Sequence, residues 1–421
     1  MKILIKKAQI TDKNCRFYNE TKDILIEHGI VKAIENEIIA DADETIETDN
    51  LCISPSWVDV FADFADQGFE QRESLQTGAK AALAGGYGHV FLIPNTKPVI
   101  QNKPQVSYLV EQGKQLPVNI YPIGAISKNI EGKDLAEMYE MKMTGSIAFS
   151  DGTQPLQSAG LLLKALQYVI AIDGTIIQIP IDKSIVAFGL MTEGVVSTQM
   201  GLPGSPALAE VLQLKRDLDL LRYTNSKIHF TGISTAESVA LIAAAKAEGL
   251  NVTCSVTPYH LFFCDEDLQG YNTNLKVNPP LRNRSDMMAL RTAVEAGIID
   301  CIATHHIPHN WDNKTCEFEY AAAGMIGLQT SFAIFNTVFH QLPNERITDL
   351  LSNNARTIFN LPNEPLAIGT AADFTLFTRQ QHTILSKATN KSKSANSALL
   401  DVELNGKVIG VLTKGVWNKA D

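Results

Sequence analysis

One unit recurs eight times between residues 57 and 304: a short β-branched or apolar run, then a stretch with helical spacing. The strand candidates cover 57–61, 89–93, 119–124, 146–150, 175–179, 227–231, 251–256 and 300–304. Helical patterns fill the intervals, for example 74–84, 207–221 and 236–247. The first is stopped by Gly85-Gly86, and the last opens with a capping box from Ser234 to Glu237. This alternation predicts an α/β chain whose residues 53–364 close into a (β/α)8 barrel. A chain of 421 residues has room for such a barrel and a minor second domain.

The chain ends differ from the middle. Residues 1–52 carry β-branched stretches at 3–5, 24–26 and 30–34, with His28-Gly29 as a turn signal. Residues 365–421 carry strand candidates at 372–377 and 408–412, with Asn405-Gly406 as a hairpin signal. The two ends are expected to pair into one small β-sandwich. The serine- and lysine-rich stretch 386–397 is expected to be a surface loop. A net charge of -10 repels phosphate backbones, so no nucleic-acid partner is expected. No apolar run has the length of a membrane span, and the N-terminus reads as an alternating strand, not a signal peptide. Six cysteines scattered without a CxxC pair predict reduced thiols and a cytoplasmic setting.

In a (β/α)8 barrel the chemistry lies at the C-terminal ends of the strands. Here the first strand ends Val58-Asp59-Val60-Phe61-Ala62-Asp63, and the fourth ends at Asp151. The fifth ends Gln178-Ile179-Pro180 and the sixth Thr231-Gly232-Ile233. The eighth ends Thr304-His305-His306-Ile307-Pro308-His309. The His305-His306-x-x-His309 spacing is a weak metal signal, because a strand end and loop do not put those side chains on one face. His229 and His260 read as buried, hydrogen-bonded histidines, and Cys254 as core. Asp59 reads as a structural barrel residue, while Asp63 and Asp66 are expected at the barrel mouth.

Three blocks give these strand ends a context: Pro94-Asn95-Thr96-Lys97-Pro98, Lys276-Val277-Asn278-Pro279-Pro280-Leu281-Arg282 and Ala323-Gly324-Met325-Ile326-Gly327-Leu328. Together they resemble the signature stretches of dihydroorotases, of the amidohydrolase superfamily, and the block spacing agrees from residue 54 to 377. The resemblance implies a metal-dependent-hydrolase type of TIM barrel. It also implies a two-metal centre: a His-x-His and an arginine after the first strand, a fourth-strand Asp in one branch, histidines ending strands five and six, and an Asp ending strand eight. This chain has Phe61, Asp63 and Ala65, then Asp151, then Ile179 and Gly232, then His305 at those positions. Only Asp151 matches. Asn95, Asn278 and His309 match substrate-contacting positions. They read either as the remains of a ligand pocket or as loop-capping hydrogen bonders.

The size of the missing effect decides the functional expectation. A catalytic metal lowers bound water from a pKa of about 15.7 to about 7, worth roughly 12 kcal/mol of nucleophile activation. Phe61 and Ile179 offer no lone pair and Gly232 no side chain. Asp63, Asp151 and His305 are the residues left for a degraded mononuclear site. Without metal, Asp63 and Asp151 form an uncompensated carboxylate pair that His305 would neutralise as a cation. The expectation is a non-catalytic dihydroorotase-like protein with no cofactor. By resemblance it partners aspartate carbamoyltransferase and forms a homo-oligomer. The alternatives are an active, zinc-dependent dihydroorotase with an atypical metal site, and an inactive scaffold related to hydantoinases.

Overall fold

A computed structural model describes residues 1–420. Among these, eight parallel strands lie side by side in chain order: Trp57–Ala62, Tyr87–Leu92, Asn119–Gly124, Ala148–Phe149, Ile176–Gln178, Ile228–Phe230, Val252–Val256 and Cys301–Ile302. The ring closes where Ala62 bridges His306 and Asp63 N donates to His306 O at 2.8 Å. The (β/α)8 barrel expected from the alternation is therefore present. Its strands are buried on both faces, so they read as near-continuous apolar runs. Val58, Val60, Phe61, Phe91, Ile177 and Ile179 fill the interior. Val90, Leu92 and Ile176 pack outward with helix residues such as Ala79, Leu162 and Ile242.

The first barrel helix, Leu75–Ala84, begins at Ser74, whose hydroxyl accepts from Thr77 N in a capping box. It ends at Gly85-Gly86 as expected. Gly86 has φ +92°, and a β-carbon there would sit 2.4 Å from the Trp57 ring. Only glycine fits both constraints. Helix Ala236–Ala247 is capped one residue later than its sequence predicts. Thr235 accepts from Ser238 N, because Ser234 is already engaged by the buried Glu210 carboxylate.

The two chain ends share one sheet, joined where Phe374–Ile384 pairs antiparallel with Cys52–Pro55. Two expectations fail in this region. Asn405-Gly406 is not a hairpin turn: it lies inside the strand Glu403–Thr413 beside an irregularity in pairing, with Gly406 at φ +103°. A bulge uses glycine's freedom as readily as a turn does. Residues 386–397 are not a plain surface loop. Ser392, Ser394, Asn396 and Ser397 are buried. Ser394 Oγ donates to Arg72 O at 2.6 Å, and Asn396 Nδ2 donates to Ile307 O at 3.0 Å and Gly324 O at 3.1 Å. The stretch straps the C-terminal rim of the barrel, and its polarity serves buried backbone groups rather than solvent.

Candidate ligand site at the barrel mouth

A cavity of about 360 Å³ opens at the C-terminal ends of the strands. Its walls include Asp63, Phe69, Arg72, Asn278, His305 and His309, with Asn95 and Ile179 also contributing. Asp151 is absent from that lining. Its carboxylate accepts from Ile126 N and Ser127 N, both at 2.9 Å, and from Ser127 Oγ at 2.5 Å. Burial raises its pKa, against the opposing pull of the Ser127 bonds. Asp151 therefore pins the loop after the third strand.

Asp63 does not face Asp151. It is salt-bridged to Arg72 Nη2 at 3.2 Å and accepts from Ala65 N at 2.7 Å. The charge expected from His305 is supplied by Arg72. His305 is 2% exposed, lies on Phe61 with ring centroids 4.5 Å apart, and meets Thr231 Oγ1 through Nε2 at 2.7 Å. Burial, with His260 and His229 nearby, pushes its pKa down to about 3, so it is neutral and not a cation between carboxylates. Asp66 is tied to Tyr108 Oη at 3.1 Å.

The donor set does not fit a metal. Phe61 and Ile179 present hydrocarbon. A β-carbon on Gly232 would lie 2.8 Å from His305 Cε1, so His305 occupies the space a sixth-strand side chain would need. Asp63, Asp151 and His305 do not converge, and among the described residues no three His, Cys, Asp or Glu side chains form a group able to hold a metal ion.

The three substrate-position residues divide. Asn95 staples two loops: Thr153 N donates to its Oδ1 at 3.1 Å, and its Nδ2 reaches Asp151 O at 3.3 Å. Asn278 is exposed, lines the cavity and precedes a cis bond to Pro279. His309 is half committed, with Nε2 on Ala323 O at 3.0 Å and no partner at Nδ1 among the described residues. Arg282, from the second signature block, is structural. It is 3% exposed and bonds Ser234 Oγ at 2.9 Å and Ser205 O at 2.9 Å. His229 and His260 are buried and hydrogen-bonded, as their sequence context predicts. Arg72 was not singled out by its sequence. The one available signal was a cation placed nine residues beyond a strand-end aspartate.

The chain is similar to known proteins in sequence and in fold. A model of the family described as Dihydro-orotase-like matches residues 50–238. A protein named Dihydroorotase from Pelobacter propionicus is 35% identical over 419 residues, 99% of each chain. One of the same name from Acetivibrio thermocellus is 37% identical over 417 residues, 98% of each chain. Among solved structures, an L-hydantoinase from Arthrobacter aurescens superposes with TM-score 0.84 at 21% identity, over 98% of this chain and 95% of that one. A dihydropyrimidinase from Brevibacillus agri gives 0.82 at 19%, over 99% and 95%. Those two likenesses show the fold. With full-length relatives above one-third identity, the chain belongs to the dihydroorotase-like amidohydrolase family.

Proposed function

We propose that this chain is a dihydroorotase-family barrel that binds at its mouth without carrying out metal-hydroxide hydrolysis. The observation that supports this is the tilted Phe61–His305 ring contact, with Ile179 and Gly232, at the positions where the resemblance implies metal ligands. Opening a cyclic amide near neutral pH needs a nucleophile as strong as metal-bound hydroxide, and neutral His305 and salt-bridged Asp63 cannot generate one. In this reading the role is structural or regulatory in pyrimidine biosynthesis, and the proposed partner is aspartate carbamoyltransferase.

A second reading is an active dihydroorotase, converting dihydroorotate to N-carbamoyl-aspartate at an atypical metal site. It is favoured by the name shared by relatives at 34–37% identity over nearly the whole chain. Elemental analysis of the purified protein, paired with a dihydroorotate assay in both directions, separates the two. Substoichiometric zinc and no turnover are expected. Stoichiometric zinc with turnover would establish the second reading. Native co-purification with aspartate carbamoyltransferase tests the partner, and clean separation of the two proteins removes it.

A further inference from the structure

The chain has one Asn-Gly pair, Asn405-Gly406, and it lies inside the strand Glu403–Thr413 rather than in a turn. The ladder to Phe374–Ile384 is interrupted there. Asn405 is in register with His382 and Lys407 with Thr378, so Gly406 has no register partner and residues 379–381 stand unpaired opposite it. Gly406 is restricted to glycine twice over. Its φ is +103°, and a β-carbon would meet Asn336 Nδ2 and the Phe332 ring at 2.9 Å.

Asn405 itself is exposed, and its carboxamide has no hydrogen-bond partner among the described residues. With Asn336, His340 and Arg379 it lines a cavity of about 630 Å³, far from the barrel mouth and open to water. Its backbone is held firmly. Asn405 N donates to Thr337 Oγ1 at 2.9 Å, and Asn405 O accepts from Asn336 Nδ2 at 3.0 Å. The second bond falls on the peptide that joins Asn405 to Gly406. It draws electron density to that oxygen and favours the anion formed when the Gly406 N–H loses its proton.

We propose that Asn405 is a site of spontaneous deamidation, and that the carboxylate it yields stands beside Arg379. Hydroxide removes the Gly406 amide proton, and the nitrogen electron pair forms a bond to Asn405 Cγ. The carboxamide C–N bond breaks, and its nitrogen leaves as ammonia after taking a proton from water. Water then opens the five-membered imide. Attack at Cγ gives aspartate, and attack at the backbone carbonyl carbon gives isoaspartate. The net change is carboxamide plus water to carboxylate plus ammonium, with no oxidant and no metal. Glycine leaves the attacking nitrogen uncrowded, and a position outside the ladder is free to make the approach. Arg379 is the group that gains. It is half-buried, and it donates only to neutral oxygens: Asn336 Oδ1, Asn344 Oδ1 and the carbonyls of Phe339, His340 and Leu342. A carboxylate at position 405 supplies a countercharge at the same cavity. The proposal is independent of what the barrel mouth binds.

The test ages the full-length chain at pH 8.5 and 37 °C in water enriched in oxygen-18, which marks conversion during ageing. Peptide mapping with electron-transfer fragmentation separates aspartate from isoaspartate. Asn405 should convert about tenfold faster than any other asparagine of the folded chain, giving both isomers. Asn336→Asp keeps an acceptor for Arg379 Nε and loses the donor to Asn405 O, so it should slow the conversion severalfold. Asn405→Asp should raise the urea midpoint of the fresh protein, and molar salt should erase the gain. An intact Asn405 beside other converted asparagines, conversion only in the urea-unfolded chain, or an unchanged rate in folded Asn336→Asp would overturn the site. A lowered midpoint in Asn405→Asp would overturn the placement of its product beside Arg379.

Discussion

Asp59 is a carboxylate placed where water does not reach: it is 0% exposed, and Thr304 N and Oγ1 donate to its two oxygens at 2.8 and 2.6 Å. The bonds latch the first barrel strand to the eighth. Burial raises its pKa to about 6 despite both donors, against about 3.9 in an unfolded chain. Between those values the folded state holds a proton that the unfolded state has lost. Asp59 therefore lowers stability as pH rises from about 4 to 6, by about 3 kcal/mol in all. Asp59→Asn keeps an acceptor for Thr304 N and meets Oγ1 with its amide. Urea denaturation should show the variant gaining on the wild type by about that amount between pH 4 and pH 7. An offset independent of pH would mean that Asp59 does not titrate in this way. His305 works in the other direction. With a folded pKa near 3 and an unfolded value of about 6.5, its contribution is complete above pH 7 and falls as pH drops through 6.5. His305→Ala, which removes the Thr231 bond and the Phe61 contact, should cost about 2–3 kcal/mol at pH 8. It should cost about 1 kcal/mol less at pH 6. A larger cost at pH 6 would restore a cationic role. Residue identity alone could not give this sign, since it is set by how deeply the ring is buried and by the neighbours it meets.

The barrel strands were readable because their burial on two faces leaves apolar runs of the right length, bounded by glycine and polar residues. The helix at Leu75–Ala84 was readable because its cap and its stop are both local. What was not readable depends on contacts across the chain. The run 386–397 has the composition of a loop, yet it closes over the rim through hydrogen bonds to residues 72, 73, 307 and 324. Nothing within its own twelve residues announces those partners. The same holds for Arg72, whose place at the cavity follows from its ion pair with Asp63. Asn396 is the centre of the strap, donating to Ile307 O and Gly324 O while its Oδ1 accepts from His309 N at 3.0 Å. Asn396→Ala would leave three buried backbone groups short of a partner, a loss of about 2–4 kcal/mol. Hydrogen exchange should then accelerate at the amides of Ile307, His309 and Gly324 while the strands at 87–92 and 119–124 keep their protection. Uniform acceleration through the barrel would show instead that the strap is part of the global folding unit.

At the scale of the whole molecule, the residues at the mouth of the barrel fit one another. Gly232 has φ +70° and its missing β-carbon makes room for the His305 ring, which in turn covers Phe61. Replacing one of these residues by the ligand that the resemblance implies there leaves the others in its way. Gly232→His alone meets His305 at a distance no β-carbon tolerates and adds left-handed strain, so it should cost more than about 2 kcal/mol. His305→Asp shortens the opposing side chain, but buries a carboxylate against Phe61 and Thr231, and should be costly by itself. In the double variant the new imidazole gains space and the new carboxylate gains a partner. Thermodynamic cycles from chemical denaturation should therefore give a favourable coupling of at least about 1 kcal/mol. Simple additivity would show that the two positions are energetically independent. Even with strong coupling, the double variant has hydrocarbon at Phe61 and Ile179, and zinc should stay well below one equivalent. Stoichiometric zinc in that variant would mean that two ligand positions suffice to build a metal centre, and that the remaining apolar wall is no barrier to a metal.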